Sequence, residues 1–376
     1  MNDEFYMQLA LNKAWEFQIL TYPNPAVGCV ITDRNGKILS CEAHKKAGCL
    51  HAEPMAVFFA LCALSGEFLA KFLDAYGAKF SQNFSGLDEL KSAELEPNFT
   101  YEFILAYHAN LLKGAKAYVT LEPCSHHGRT PPCAELLKRL NFGEVVIGAR
   151  DENKIASGGA EILKNSGVRV KFDVLKDKAL ELIAPFRAWH DGNFSFLKIA
   201  LSANGVANGG VISGEQSRTH VHKLRSVIDL LVIGGNTVRT DRPRLDTRLI
   251  NGGENPDVLI FSRRQNFDES IPLFKVPGRN VKISDSLDFD AKLVMYEGAQ
   301  YFLNMAAKRE IPNLKWLLIY QSPNFKDGEN LKIGLNLRPI FRGSFGDDSY
   351  MWCEILADTS KKAKFSVQSS ANLCEP

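Results

Sequence analysis

Two kinds of apolar pattern alternate along this chain: short runs dense in Val, Ile and Leu, and longer stretches with apolar residues at helical spacing. The opening stretch, MNDEFYMQLALNKAWEFQIL, reads as an amphipathic helix with Phe5, Leu9, Trp15 and Leu20 among its apolar positions. Pro23-Asn24-Pro25 breaks that pattern. AVGCVITD and KILSCEA then read as strands joined through Asn35-Gly36, a strong hairpin signal. His51-Ala52-Glu53 opens an apolar stretch to about Leu64 that predicts a helix. Residues 65–112 have helical periodicity in GEFLAKFLDAYGAKFSQNF and LEPNFTYEFILAYHANLL but no chemical motif. They predict a helical insertion between two halves of one site, removable without loss of whatever that site holds. KAYVTLEP, EVVIGARD and VRVKFDVL read as strands, with CAELLKRL and GGAEILKNSG as helices between them. Such alternation points to an α/β sandwich.

KDKALELIAPFRAWHDGN reads as a helical connector, placing a boundary near 175–192. Beyond it FLKIALSA, DLLVIGG, DVLIFS, KLVMYEG and KWLLIYQS are short β-like runs with helices between them, a second α/β domain. The expected plan is a first domain over 1–150, its last helix, strand and connector over 151–192, a second domain over 193–356 and a frayed polar tail over 357–376. With 376 residues, two domains suit the length. The hydrophobic share of 45% and charged share of 23% are those of a globular protein.

A net charge of +2 gives no overall field to gather nucleic acid or a membrane surface. No stretch approaches the ~18 consecutive apolar residues of a membrane span, and the N-terminus lacks the form of a signal peptide. The eight cysteines are scattered, which suggests reduced thiols and a cytoplasmic setting. Metal binding then becomes the informative use for some of them.

His51, Cys124 and Cys133 form a candidate metal set. Three protein ligands with one open position define a catalytic zinc site, and Cys₂His is a known ligand set. Cys133 follows Pro131-Pro132 and precedes a helical run, where the helix dipole would favour its thiolate. Glu53, two residues after His51, falls off the imidazole's face of a helix, which frees its carboxylate to carry protons. Zinc nucleobase deaminases carry a His-x-Glu and a Pro-Cys-x-x-Cys, the Glu acting as proton shuttle. Here SHHGRTPP separates the two cysteines and brings His126, His127 and Arg129 beside the metal. Such groups suit a phosphate-bearing substrate, although a purely structural loop is the plainer reading. A structural zinc would want a fourth protein ligand and leave Glu53 idle. A deaminase of nucleic-acid bases would want Cys-x-x-Cys and a basic aromatic groove, which the long loop and near-zero charge disfavour.

Tyr22-Pro23-Asn24-Pro25-Ala26-Val27-Gly28, His44 with Ala47-Gly48, His51-Ala52-Glu53 and the run TLEPCSHHGRTPPC from Thr120 to Cys133 together resemble the bifunctional riboflavin-biosynthesis deaminase–reductase family. The resemblance covers both halves of the chain apart from 65–112. It implies a cytidine-deaminase-like N-terminal domain acting on 2,5-diamino-6-ribosylamino-4(3H)-pyrimidinone 5′-phosphate, with Zn²⁺ on His51, Cys124 and Cys133, and Glu53 as the catalytic residue. Asn24 and His44 would bind this substrate; a turn role for Asn24 between its prolines is the alternative. The C-terminal domain would be dihydrofolate-reductase-like and use NADPH to reduce the ribosyl group to ribityl. By the same match Lys198, Arg225, Leu245, Arg248 and Glu297 fall on substrate positions, and Ala200, Thr237, Asp241, Gly298 and Ala299 on cofactor positions. A guanidinium at Arg225 suits a ribosyl phosphate, the alternative being a surface helix charge. Gly298-Ala299, between a strand and a helix, would offer N–H groups to the cofactor pyrophosphate. No GxGxxG is present, so a Rossmann reading has little support. Small phosphorylated pyrimidines are then the partners, with no nucleic acid and no membrane, and the chain is expected to form a homo-oligomer.

The chain departs from the family at three positions. Gly209 stands where Ser is usual, Val211 where an aromatic flanks the nicotinamide, and Asn204 where a turn carries Asp. The second domain is also short after Glu297. A deaminase whose impaired C-terminal half serves binding or oligomerisation is therefore the alternative reading.

Overall fold

A computed structural model describes residues 2–126, 128, 131–152 and 157–356. The chain divides into two units, Met1–Arg187 and Ala188–Pro376. Helix α1 (Asp3–Trp15) opens the first. Asn2 caps it by accepting from the Glu4 N–H, and Asp3 and Glu4 lie at the positive end of its dipole. The helix stops at Trp15, short of the predicted Leu20, and buries Tyr6, Met7, Ala10, Leu11 and Ala14. Phe5, expected on the inner face, is 47% exposed because the buried stripe runs through its neighbour Tyr6. The Tyr6 hydroxyl donates to Gly36 O at 2.7 Å. Gly36 (φ 87°) sits in the turn between β1 (Gly28–Thr32) and β2 (Ile38–Ala43), which pair antiparallel.

Helix α2 (Ala52–Leu64) has every residue from Ala52 to Cys62 buried, as an apolar helix must. Helices α3 (Gly66–Phe80), α4 (Leu87–Ser92) and α5 (Pro97–Tyr107) follow. Phe72 of α3 lies 4.5 Å from Phe58 of α2 and 5.1 Å from Phe103 of α5, ring centre to ring centre. Residues 65–112 are thus largely helical, and they pack into the core of the first unit. Phe68, Phe72, Tyr101, Phe103 and Ile104 share one core with α2 and the sheet, because a helix apolar all round needs a cover on its outer side.

Strand β3 (Lys116–Leu121), α6 (Cys133–Arg139), β4 (Glu144–Ala149), α7 (Gly159–Asn165), β5 (Arg169–Lys171), α8 (Lys176–Leu182) and α9 (Ala184–Asp191) complete the unit and lead out of it. The sheet runs β2-β1-β3-β4-β5, with β3, β4 and β5 parallel. Alternation along β1 and β3 sends Cys29, Ile31, Ala117 and Val119 to the α2 side, while Tyr118 meets Tyr6 of α1 at 4.7 Å. Helices on both faces put the ends of β3, α2 and α6 at one edge.

The second unit has β6 (Phe194–Leu201), α10 (Glu215–Arg225), β7 (Leu230–Gly234), α11 (Gly235–Asp241), β8 (Asp257–Phe261), β9 (Val281–Ser284), β10 (Leu293–Glu297), α12 (Gln300–Lys308), β11 (Leu314–Gln321), β12 (Leu337–Phe345) and β13 (Asp348–Ile355). Its sheet runs β12-β13-β11-β6-β10-β7-β8-β9, parallel from β11 to β9, with β13 and β12 antiparallel at one edge. All five apolar runs of the second half are strands. The reading missed β9, β12 and β13. Strand β9 has no fully buried residue, and β12 is an edge strand carrying Pro339, so neither has an apolar run to betray it. No helix among the described residues is long and apolar enough to cross a membrane.

Contact between α1 and β1 is close enough to require a glycine: a Cβ on Gly28 would lie 1.9 Å from Ala10 O. Gly28→Ala should therefore destabilise the first unit by about 1–3 kcal/mol, the range for overpacking. Chemical denaturation reads this as a lower midpoint, and an unchanged midpoint would show that α1 yields freely.

Candidate active sites

His51 is the N-cap residue of α2, extended at φ −66° and ψ 168°, so its ring leaves the helix instead of lying along it. Cys124 stands three residues past the end of β3, after Pro123, and Cys133 is the first residue of α6. His51 Nδ1 lies 3.7 Å from Cys124 Sγ and 3.4 Å from Cys133 Sγ, and all three donor atoms lie within 4.8 Å of one another. With zinc bonds of about 2.0–2.3 Å, a tetrahedral ion holds its donors about 3.5 Å apart. The separations fit that ion. No fourth His, Cys, Asp or Glu joins the set among the described residues.

Glu53, in the first turn of α2, is buried. Burial and the nearby Cys124 charge push its carboxyl up to about 7, with His51 pulling the other way. The two thiols divide unequally. The hydrogen bond from Cys133 holds Cys124 down at about 4, whereas burial and that same contact push Cys133 up. The helix start that should favour the Cys133 thiolate is opposed by the complete burial of that sulfur. A bound dication would deprotonate both.

His44 and Asn24 meet beside this cluster. His44 Nδ1 lies 2.9 Å from Leu50 O, which can only accept, so the proton sits on Nδ1. Nε2 is then free to accept from Asn24 Nδ2 at 3.1 Å. Burial, then His51, hold the His44 pKa down at about 4, and the two rings meet edge to face at 5.3 Å. Asn24 does make a turn, its N–H donating to Thr21 O at 2.8 Å. Its side chain nonetheless goes to His44.

Glu122, unremarked in the sequence, is buried and accepts from the N–H groups of Asp151, Gly158 and Ala160 at 3.4, 3.2 and 3.1 Å. It ties the end of β3 to the start of α7, two residues before Cys124. Its place inside the TLEPC run was the only signal. His126 is exposed, and His127 and Arg129 lie outside the described residues.

In the second unit β6, β10 and β7 are parallel neighbours, so their C-terminal ends share one edge, the usual ligand edge of such sheets. Lys198 and Glu297 are register partners there. Arg225 is buried and grips Glu297 with both prongs, Nε to Oε1 at 2.7 Å and Nη2 to Oε2 at 2.9 Å, while Lys198 Nζ stands 3.9 Å from Oε2. Burial alone would raise Glu297, yet Arg225 and Lys198 outweigh it and hold the carboxyl at about 2. Arg225 is thus no surface charge, and much of its fork is engaged by Glu297. Its Nη1 reaches Asp246 O at 3.2 Å, and the Asp246 carboxylate pairs with Arg244 and Arg248. Leu245, between them, is buried at φ 56°, its carbonyl accepting from Arg279. Asp246, Arg244 and Arg279 are further members that sequence reasoning missed, having no motif to mark them.

Ala200, Thr237, Gly298 and Ala299 lie along the same edge, at the ends of β6, β7 and β10; Asp241 sits at the far, exposed end of α11. Two of the departures have physical reasons. Asn204 donates to Lys326 O at 2.8 Å and accepts from Lys326 N at 3.0 Å, a double bond pattern that an ionised Asp could not make. Gly209 has φ 85°, where a serine would be strained. Val211 is 70% exposed, and nothing in the structure explains its replacement of an aromatic.

Glu297→Gln should leave two buried cations short of a counter-charge and cost about 3–5 kcal/mol, as for a broken buried pair. The native contribution is complete above pH ~4.5 and fades as pH falls toward 2, since the folded pKa is depressed. Denaturation at pH 7 and pH 3 should show the variant's deficit shrinking with acid; an equal deficit at both would contradict the ion-pair account.

Residues 1–149 match the family model of the cytidine and deoxycytidylate deaminase zinc-binding region, and residues 196–285 match that of the RibD C-terminal domain. The riboflavin biosynthesis protein RibD of Aquifex aeolicus is 32% identical over 267 residues, covering 69% of this chain and 61% of that protein. RibD of Escherichia coli is 31% identical over 256 residues, covering 66% of this chain and 56% of that protein. The chain thus spans about three fifths of the length of the curated relatives it matches. Among solved structures, a diaminohydroxyphosphoribosylaminopyrimidine deaminase/5-amino-6-(5-phosphoribosylamino)uracil reductase from Thermotoga maritima has a TM-score of 0.59 at 21% identity, covering 94% of this chain and 99% of its own. Acinetobacter baumannii RibD has a TM-score of 0.56 at 23% identity with the same coverages. At these identities the likeness is one of fold: a cytidine-deaminase-like unit followed by a RibD C-terminal unit. With both family models matched in order along one chain and relatives near one third identical across them, the chain belongs to the RibD family of riboflavin-biosynthesis proteins.

Proposed function

We propose that this chain carries out two successive steps of riboflavin biosynthesis. The first is hydrolytic, zinc-dependent deamination of 2,5-diamino-6-ribosylamino-4(3H)-pyrimidinone 5′-phosphate. The second is NADPH-dependent reduction of the ribosyl to a ribityl side chain. The observation that carries the first step is the spacing of His51 Nδ1 from the two sulfurs, 3.4 and 3.7 Å, beside a buried Glu53. When bound, zinc supplies the Lewis acidity that makes water nucleophilic near pH 7. His51, Cys124 and Cys133 hold it. Glu53, out of bulk water, takes a proton and returns it to the departing amine. Asn24, fixed by neutral His44, presents its remaining amide groups to the heterocycle.

For the second step NADPH supplies a hydride. Lys198 donates a proton to the ribosyl oxygen freed on reduction, a role supported by its neighbours Glu297 and Arg225, which hold its ammonium in place. Arg244 and Arg248, exposed on the Asp246 carboxylate, extend positive charge toward a phosphate. Ala200, Thr237, Asp241 and the Gly298-Ala299 turn belong to the cofactor side of this reading. The seven free cysteines among the described residues suit a reducing, cytoplasmic setting. Self-association enters through the family alone.

Glu53→Gln should retain one zinc per chain while ammonia release falls by about 10²–10⁴, the range for a general acid–base; ordinary turnover in it would refute the shuttle role. Lys198→Met should abolish NADPH oxidation with the deaminated product while leaving ammonia release unchanged. Stopped-flow absorbance reads the first and an ammonia assay the second, and unimpaired oxidation would remove Lys198 from the chemistry.

A further inference from the structure

Residues 65–112 meet the deaminase centre at two places. One is the peptide that carries Cys133. Tyr101 of α5 is 4% exposed, and its hydroxyl donates to Pro132 O at 3.1 Å. Pro132 O also accepts the Leu136 N–H of α6 at 3.3 Å. On the other side of the same peptide, the Cys133 N–H points at Cys124 Sγ, 3.4 Å away. A peptide is planar, so an anchor on its oxygen sets the direction of its N–H and the position of the next Cα. The second place is the loop between His44 and His51. Lys45 Nζ donates to Lys91 O, and Lys46 pairs with Glu94 at 3.0 Å.

The segment that makes these contacts is itself held firmly. Glu96 caps α5 at Phe99 N, and its own N–H donates to Tyr76 OH of α3 at 3.0 Å. Phe103 lies 5.3 Å from Phe68 and 5.1 Å from Phe72, both packed on α2. Since α2 begins at Glu53's own turn, right after His51, Tyr101 is referenced to the same helix as the imidazole.

From this geometry we infer that the 65–112 segment braces the metal centre from outside, and that Tyr101 is a positioning residue: through Pro132 it sets where the Cys133 sulfur stands relative to His51. The inference rests on the zinc reading above. Groups that orient metal ligands are worth about 10–100-fold in metal affinity. The Lys46–Glu94 pair is exposed and contributes less.

The test is zinc affinity of the full chain, by competition with a chromogenic chelator, with the thermal midpoint of the metal-free protein measured alongside. Tyr101→Phe should bind zinc about tenfold more weakly. Phe103→Leu, which loosens the same helix but keeps the hydroxyl on the Pro132 carbonyl, should lower the midpoint more than Tyr101→Phe does while weakening zinc less. A bond that merely stabilised the fold would act equally on both metal states and not move affinity. Glu94→Lys, exposed and remote from the core, should weaken zinc about threefold by repelling Lys46; this variant stands in should Tyr101→Phe not fold. Wild-type affinity in Tyr101→Phe, or losses in Tyr101→Phe and Phe103→Leu that simply track their midpoints, overturns the inference. A wild-type chain that takes up no zinc would overturn the reading beneath it instead.

Discussion

Two sulfurs and an imidazole nitrogen lie within 4.8 Å of one another with a buried carboxylate beside them, a donor set that a dication would complete. Everything in the first unit bears on holding that cluster together. The donors come from three places: the residue before α2, the segment after β3 and the first residue of α6. Only a sheet with helices layered on it brings those ends to one edge. Gly28 lets α1 lie against the sheet, Glu122 ties the end of β3 to α7, and the 65–112 helices cover the outer side of α2.

The second unit solves the complementary problem. Its buried acid, Glu297, has its own cations in Arg225 and Lys198, so the charge is balanced by the chain and not by a metal. That balance leaves a lysine beside a carboxylate at the C-terminal edge of a parallel sheet. Asn204 and Gly209, two of the departures from the family pattern, have local structural reasons. Each suits the backbone it occupies, one by pairing with both polar groups of Lys326 and the other by taking a positive φ.

Much of this was legible because chemistry-bearing residues come in tight local patterns. His51-Ala52-Glu53, Pro123-Cys124 and Pro132-Cys133 each mark a chain direction change next to an apolar run, and the structure brings their donor atoms together. What was not legible depends on contacts between distant parts of the chain. Phe5 and Tyr6 are adjacent aromatics in the text, and it is Tyr6 that lies on the buried stripe with its hydroxyl on Gly36 O. The thiol of Cys133 looked favoured by its helix, but its burial is a tertiary fact. Arg225 could have been a surface charge until Glu297, far along the chain, closed on it. Edge strand β12 breaks its apolar residues with Pro339, Arg342 and Gly343 and has none fully buried, so it offers no continuous run.

The most direct test of the whole account is zinc-edge X-ray absorption on the purified full chain. The account requires one zinc coordinated by two sulfurs at about 2.3 Å and by nitrogen or oxygen at about 2.0–2.1 Å, with one protein nitrogen and one exchangeable light-atom ligand. A shell of three or four sulfurs, a second histidine nitrogen filling the remaining position, or no bound metal would contradict it.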